Sequence, residues 1–275
     1  NNAVSHPCNS ANESATIAMS TPTIVTVASA GGAIGTQVSD TATVSGGTNP
    51  TGTVTFNLYG PNDATCTGTP AFTSATVPLT AGSATSAAFT TTLAGVYRWT
   101  ATYNGDANNN PVAHPCNAAN ESVTIAPSNP TLVTVASAGG ATGTQINDTA
   151  TLSGGSNPTG TITFRLYGPN DATCATPALF TSGAVAVAGN GSYPSTPSFT
   201  TTLAGTYRWV ASYSGDANNT AVAGVCNDAN ESVTITPPPP SGPPRPVPTL
   251  SQWALVLLGL MMGGAALATA RRRRR

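Results

Sequence analysis

Hydrophobic and polar residues alternate in short runs along most of the chain, which predicts half-buried β-strands. In residues 53–59, TVTFNLY, the apolar members share one face of the strand, and in residues 97–103, YRWTATY, the aromatic members do. No apolar set in this part recurs at helical spacing, and threonine and glycine are weak helix formers. The residues predicted to face the core are Val54, Phe56, Leu58, Tyr97, Trp99, Ala101 and Tyr103.

The pattern occurs twice. TIVTVASAGG at Thr23 recurs as TLVTVASAGG at Thr131, and FTTTLAGVYRW at Phe89 recurs as FTTTLAGTYRW at Phe199. The offset grows from 108 to 110, so two residues are inserted between Cys174 and Phe199. Internal repetition of this length predicts two homologous domains.

Each repeat contains about seven alternating runs, separated by clusters of glycine, proline, asparagine and aspartate. Seven short strands in about a hundred residues are typical of an immunoglobulin-like (Ig-like) sandwich. We therefore predict an all-β fold with tandem sandwiches at residues 22–126 and 130–236. In the first repeat the predicted strands lie near 23–30, 38–45, 52–59, 71–79, 84–92, 95–104 and 121–126.

A third copy is present in part. Residues 1–18, NNAVSHPCNSANESATIA, match residues 109–126. We expect residues 1–18 to be the last strand of a truncated Ig-like repeat, and the sequence to be a fragment of a longer chain.

Charge is scarce and unevenly distributed. Charged residues make up 7% of the chain and there is no lysine. Ten acidic residues face only three arginines in residues 1–236, while six further arginines follow. An acidic body without lysine cannot neutralise phosphates, which argues against a nucleic-acid partner.

Two motifs connect the repeats to a family. PTGTVTF at Pro50 and YNGDANN at Tyr103, repeated as PTGTITF and YSGDANN, resemble the group-3 bacterial Ig-like repeats. The resemblance covers about residues 22–236. It implies Ig-like modules arranged in tandem in a surface or secreted protein.

The cysteines follow the repeats. Each full repeat contains two, so we predict the disulfides Cys66–Cys116 and Cys174–Cys226, while Cys8 is the repeat equivalent of Cys116. One disulfide per domain implies an oxidising, extracytoplasmic setting. Buried free thiols and a metal site are the alternatives, although there is no C-x-x-C pair and histidine is scarce.

Few other residues suggest chemistry. In GDANN, the oxygens of Asp106, Asn108 and Asn109 suit either a turn or a calcium ion. Tyr59 and Tyr167 suit either strand-end packing or stacking on a sugar. We predict no catalytic residue, no cofactor-binding residue and no metal site.

The C-terminal part differs from the repeats. Residues 237–248 form a proline-rich linker, which we expect to be a stiff polyproline spacer. Residues 253–270 carry no charge and, as a helix, would reach about 27 Å, close to the thickness of a bilayer. An arginine cluster that follows such a stretch stays cytoplasmic, which predicts one transmembrane helix with the repeats outside. The cluster consists of Arg271, Arg272, Arg273, Arg274 and Arg275.

The segment VPTLSQW resembles the start of the IPTL-CTERM class of sorting tails, with valine in place of the usual isoleucine. The resemblance covers residues 247–275. It implies recognition by an exosortase, a membrane-embedded cysteine protease of Gram-negative bacteria, and contact with the inner membrane. A permanent anchor that is never cut is the alternative. The motif residues are Val247, Pro248, Thr249, Leu250, Ser251 and Trp253.

These observations predict a non-enzymatic bacterial cell-surface or secreted protein. Its repeats would be displayed outside the cell for adhesion or matrix structure, anchored in the membrane before processing and at the surface or extracellular afterwards. A module that binds a carbohydrate or protein, and the stalk of an enzyme whose N-terminal domain is missing, are the alternatives.

Overall fold

The structure is a computed structural model that describes residues 1–5, 7–9, 14–61, 63–169, 171–239, 242 and 254–262. It divides the chain into two compact units, Asn1–Thr236 and Pro237–Arg275. The described part of the first unit is all-β. The division into one domain per repeat stays a prediction.

The first repeat forms two sheets that face each other. Its strands are β1 (Thr23–Ala28), β2 (Gly32–Ala33), β3 (Gln37–Val38), β4 (Asp40–Ser45), β5 (Thr53–Tyr59), β6 (Phe72–Thr73), β7 (Val77–Pro78), β8 (Ser83–Thr85), β9 (Phe89–Thr90), β10 (Gly95–Tyr103), β11 (Val112–His114) and β12 (Ser122–Ala126). One sheet has the order β1-β4-β8. The other has the order β2-β12-β10-β5-β6, with β7 paired to β5 and β11 paired to β10, and β3 pairs with β9. This arrangement is compatible with an Ig-like sandwich.

The second repeat has the same topology. Its strands are β13 (Thr131–Ala136), β14 (Gly140–Ala141), β15 (Gln145–Ile146), β16 (Asp148–Ser153), β17 (Thr161–Tyr167), β18 (Phe180–Thr181), β19 (Val185–Ala186), β20 (Gly191–Pro194), β21 (Phe199–Thr200), β22 (Gly205–Tyr213), β23 (Val222–Ala223) and β24 (Ser232–Thr236). The repeats touch where Ala94 N–H donates a hydrogen bond to Asn218 Oδ1 at 3.0 Å.

Each repeat buries its own core, and the predicted alternation is confirmed. Phe56 on β5 and Trp99 on β10 have no exposed surface, and the other residues predicted to face the core are buried beside them. Phe72 meets Trp99 edge-to-face, with ring centroids 6.0 Å apart. Such aromatic pairs add about 0.5–1.5 kcal/mol to the free energy gained by burying their area.

Two predicted strands are divided in the structure. The run 71–79 becomes β6 and β7, because the hydroxyl of buried Ser74 accepts the backbone N–H of Phe56 between them. The run 84–92 becomes β8, which pairs with β4, and β9, which pairs with β3. The chain leaves the first sheet at Ser86, whose hydroxyl accepts the N–H of Asp40 at 3.0 Å.

Residues 1–18 form no strand at the positions that the structure describes there, which are 1–5, 7–9 and 14–18. Ser20, just beyond this segment, forms a parallel bridge with Asn109. Cys8 is exposed and unpaired. The assignment of this segment to a preceding repeat stays a prediction.

Candidate functional site

Each repeat has one disulfide, formed by the pairs predicted from the repeats. Cys66 is bonded to Cys116 and Cys174 to Cys226, with Cα atoms 6.0 and 5.9 Å apart. Each bond ties the loop after the fifth strand of its repeat, β5 or β17, to the loop before its last strand. In the first repeat, Asn117 reinforces this link because its amide donates to the carbonyl of Ala64 at 2.8 Å.

The loop that carries Cys66 borders an open cavity of about 480 Å³. The carboxylate of Asp63 lies at its edge and accepts backbone N–H groups from Thr65, Thr67 and Gly68. The N–H of Gly68 contributes most to holding the pKa of Asp63 below its ordinary value. The carboxylate therefore stabilises its own loop, and none of the described residues that line the cavity is aromatic or cationic.

The GDANN loop has the geometry of a turn. The Oδ2 atom of Asp106 accepts the N–H of Thr51 at 2.7 Å and the hydroxyl of Tyr103 at 2.9 Å. Its Oδ1 atom accepts the N–H of Asn108 and the amide of Asn109, each at 2.8 Å. A calcium ion would have to displace these donors to reach the carboxylate. In the second repeat the corresponding donors to Asp216 are Thr159, Tyr213, Asn218 and Asn219.

The two candidate sugar-stacking tyrosines lie at strand ends. Tyr59 and Tyr167 are the last residues of β5 and β17, and both are half-buried. They lie opposite Arg98 and Arg208 on the neighbouring strands. Packing at a strand end accounts for both positions, and a sugar-binding role stays a prediction.

The outer face of the three-stranded sheet carries exposed valines in both repeats. Val25 and Val27 on β1 are each 56% exposed. Val133 and Val135 on β13 are 60% and 55% exposed. The first strand of each repeat therefore has a pair of exposed valines at corresponding positions.

A pair of buried carboxyl groups is the feature that the sequence analysis missed. Asp40, the first residue of β4, and Glu121, just before β12, have no exposed surface in the first repeat. Thr26 Oγ1 donates to Glu121 Oε1 and lies 2.8 Å from His114 Nδ1. His114 Nδ1 is 3.9 Å from Glu121 Oε1, and no other acid–base pair within 4.0 Å occurs in the described part of the chain. Because Glu121 Oε2 and both oxygens of Asp40 lack hydrogen bonds, the pair is incompletely solvated by the protein.

Burial changes the acidity of these groups. Burial, and then the charge of Glu121, raises the pKa of Asp40 to about 7. Burial also raises the pKa of Glu121, although the donors Thr26 and Asp40 partly oppose this. Burial lowers the pKa of His114.

The second repeat has the same pair in Asp148 and Glu231, exposed by 0% and 1%. Burial raises the pKa of both carboxyl groups. Gly224 occupies the position that corresponds to His114. His114 is the last residue of β11, and Gly224 directly follows β23. Both repeats therefore contain the buried carboxyl pair, and only the first repeat has a histidine beside it.

The sequence contained a signal for these pairs. DTAT occurs at Asp40 and Asp148, and NES brings Glu121 and Glu231 to the start of the last strand. An acid inside a threonine and apolar run is unusual in a chain with only ten acids. No periodicity argument, however, shows that the two motifs meet across the sandwich.

The predicted sorting residues lie outside the part of the chain that the structure describes. The structure describes residues 254–262 of the tail as a helix. Leu257, Leu260 and Met262 are 57%, 67% and 66% exposed, so apolar side chains are exposed around it. Among the described residues, no helix is both long enough and apolar enough to cross a membrane. The residues outside this description are Val247, Pro248, Thr249, Leu250, Ser251, Trp253, Arg271, Arg272, Arg273, Arg274 and Arg275.

Comparison with known families decides the nature of the tail. Residues 245–275 match the family described as the IPTL-CTERM motif. The tail is an IPTL-CTERM motif. This motif covers the end of the proline-rich linker, the apolar stretch and the arginine cluster, so the resemblance predicted from VPTLSQW is confirmed.

Solved structures resemble the chain only weakly. Escherichia coli alpha-2-macroglobulin activated by porcine elastase is 11% identical, with 79% of this chain and 22% of that chain covered and a TM-score of 0.29. Two structures of a marsupial T cell receptor are 12% and 13% identical, cover 80% and 82% of this chain and 75% of theirs, and each has a TM-score of 0.31. Similarity at this level carries no argument about function. No curated protein matches the chain.

Proposed function

We propose that this chain is a non-enzymatic protein of the bacterial cell surface, in which tandem Ig-like repeats are displayed outside the cell and the IPTL-CTERM motif directs exosortase-type sorting. The observation that carries the proposal is the IPTL-CTERM match at residues 245–275, directly behind two disulfide-bonded β-repeats. The disulfides support export, because such bonds persist in oxidising compartments.

In this proposal the apolar stretch 253–270 holds the chain in the inner membrane before processing. The apolar side chains exposed around residues 254–262 favour this role, because a helix that is hydrophobic on all sides is stable only when it is covered. The arginines 271–275 keep the C-terminus in the cytoplasm by the positive-inside rule. Exosortase then recognises the motif that begins at Val247, outside the membrane.

The repeats, as modules at residues 22–126 and 130–236, serve adhesion or matrix structure. Their cores close within each repeat, which suits independent modules on a linker. The linker 237–248 would hold them roughly 35–40 Å from the membrane if fully extended as polyproline. The valine pairs on β1 and β13 offer the apolar surface that such contacts use.

The test is to express the full chain behind a secretion signal in a bacterium that has the cognate exosortase and in a strain that lacks it. Intact mass of the surface fraction is the readout. We expect loss of the arginine cluster only where the exosortase is present. Retention of the cluster in both strains, with the chain still in the membrane, would support a permanent anchor instead.

A matched pair of variants separates recognition from linker stiffness. Pro248→Ala lies in the motif and should prevent processing, whereas Pro239→Ala lies in the linker and should leave it intact. Processing of Pro248→Ala at the ordinary rate would contradict recognition through the motif.

A further inference from the structure

The buried carboxyl pairs are placed between the two sheets of each repeat. Asp40 begins β4 in the three-stranded sheet, and Glu121 precedes β12 in the larger sheet. Ala28 lies opposite Asp40 on the neighbouring strand and donates its N–H to the carbonyl of Asn120, next to Glu121, at 3.0 Å. The two side chains are therefore close enough to form a hydrogen bond when one of them carries a proton. The same holds for Asp148 and Glu231, because Ala136 lies opposite Asp148 and donates to the carbonyl of Asn230 at 2.9 Å. A bond between the two acids therefore joins the sheets directly.

Two adjacent carboxylates cannot both be charged in such a place. Burying one ion costs several kcal/mol, and two like charges in contact add repulsion. If one group keeps its proton, it donates a charge-assisted hydrogen bond to the other, which is roughly twice as strong as a neutral one. The burial of both groups without a close lysine or arginine therefore favours one shared proton.

The donors around the first pair show which group is charged. Glu121 Oε1 accepts the hydroxyl of Thr26, with His114 behind it. The N–H groups of Thr41 and Val27 approach Asp40 without reaching hydrogen-bond geometry. Glu121 is thus the better place for the negative charge, and Asp40 the better place for the proton.

The second pair has the opposite arrangement. Asp148 Oδ1 accepts the N–H of Thr149 at 2.8 Å, while neither oxygen of Glu231 accepts a hydrogen bond. Thr134 approaches Glu231 without reaching hydrogen-bond geometry, and the charge of Asp228 also opposes ionisation of Glu231. Here the charge belongs on Asp148 and the proton on Glu231.

We propose that each repeat holds one buried proton between its two carboxyl groups, on Asp40 in the first repeat and on Glu231 in the second, and that this proton fastens the two sheets together. Loss of the proton leaves two charges in contact and loosens the repeat. Each sandwich therefore opens more readily as the pH rises from mildly acidic to alkaline. This inference does not depend on the proposed function.

The direction of the pH effect follows from the raised pKa values. The pKa of Asp40 is about 7 in the folded state and about 3.9 in an unfolded chain. The stabilising contribution is therefore complete below about pH 4 and is lost as the pH rises through about 7. His114, whose pKa is lowered by burial, acts in the opposite direction and only in the first repeat.

The first test is carboxyl-carbon NMR of the full-length chain in a non-ionic detergent, followed as a function of pH. The ten acidic side chains are few enough to assign. We expect one carboxyl group of each repeat, Asp40 and Glu231, to titrate above about pH 6, well above the ordinary range. If every carboxyl group titrates below about pH 5.5, the proposal is wrong, and this result needs no variant.

The second test uses hydrogen exchange at the central strands β10 and β22 of the same full-length chain. From about pH 5 to 7 the opening constant of the second repeat should rise about tenfold for each unit of pH, because a tenfold ratio corresponds to one pKa unit. The opening constant of the first repeat should rise less steeply, because the lowered pKa of His114 opposes the effect there. Asp40→Asn should remove the rise of the opening constant with pH in the first repeat only, and Glu231→Gln should remove it in the second only. Asp63→Asn, in an exposed loop, is the control that should change neither.

The proton is assigned to the aspartate in the first repeat and to the glutamate in the second, and this difference gives the most specific test. Asp40→Asn keeps a donor towards Glu121, so the first repeat should stay closed at high pH, whereas Glu121→Gln removes the charged acceptor and should open it. In the second repeat the order reverses, so Glu231→Gln is tolerated and Asp148→Asn is not. The same order in both repeats would overturn the assignment of the proton.

Discussion

The β-repeats and the tail helix place their apolar side chains in opposite surroundings. On β10 every second residue is buried, and Trp99 has no exposed surface. In the helix at 254–262 the apolar side chains are exposed, as Leu257 is by 57%. The repeats thus supply their own apolar partner, whereas the described helix of the tail leaves its large apolar side chains exposed. The period of the hydrophobic pattern, rather than the amount of apolar residue, makes this difference.

The largest effect that would test this comparison is the loss of a core aromatic residue. Trp99→Ala should cost the first repeat about 3–5 kcal/mol of unfolding free energy, because it leaves a cavity under Phe72. Denaturant unfolding with hydrogen exchange resolved by repeat measures it. The second repeat and membrane retention should be unchanged. A cost below about 1 kcal/mol would mean that Trp99 does not support a closed core.

The disulfide gives the next largest effect. Cys66→Ser with Cys116→Ser should lower the unfolding free energy of the first repeat by about 3–4 kcal/mol, because the unfolded loop is no longer closed. The same measurement applies, with the intact disulfide of the second repeat as internal control. Equal loss in both repeats would show that the repeats do not unfold independently.

A charge placed in the tail should reduce membrane retention of the chain and leave the stability of the repeats unchanged. Leu257→Arg places a cation in the apolar stretch at a cost of about 2.5–3.5 kcal/mol for insertion. We expect the chain to leave the membrane fraction while the repeats keep their stability. Leu257→Ala, which adds no charge, is the control, and retention of both variants would contradict the proposed span.

His114 should make the stability of the first repeat depend on pH differently from that of the second. Burial lowers the pKa of His114, so the folded first repeat disfavours the protonated imidazole and loses stability as the pH falls through its ordinary range. His114→Gly gives the first repeat the residue found at Gly224. The stability of the first repeat at mildly acidic pH should then rise towards that of the second, as hydrogen exchange measures. An unchanged profile would exclude His114 as the difference.

The smallest effect compares neighbours on β1. Val25 is 56% exposed and Ile24 is 6% exposed. Val25→Thr should change the unfolding free energy by no more than about 0.5 kcal/mol, as surface substitutions do. Ile24→Thr removes a buried apolar side chain and should lower the unfolding free energy clearly more. Thermal unfolding of both variants measures the difference. Equal costs would show that the outer face of this sheet is covered.

The sequence was informative where one local pattern decides the outcome. Alternation placed Phe56 and Trp99 in the core, and repetition paired Cys66 with Cys116. It failed where two distant segments meet through residues that neither alternation nor the number of cysteines per repeat points to. The division of the run 84–92 depends on Ser86 reaching the N–H of Asp40, which no local pattern contains.

The candidate site shows the same limit. The sorting tail is contiguous, so its order of motif, apolar stretch and arginines can be read directly. The acid pairs are not contiguous, because Asp40 and Glu121 lie at the starts of strands in different sheets. Only the fold brings them together, and burial is the largest cause of their raised pKa values.

The disulfides have a mechanical consequence for a protein that is pulled from its ends. The bonds Cys66–Cys116 and Cys174–Cys226 span 50 and 52 residues. Under tension a repeat can lengthen only through residues outside its covalent loop, so roughly half of its contour length, at about 3.3–3.6 Å per residue, is withheld. Reduction of the bond would release that hidden length as a longer step in a force–extension trace.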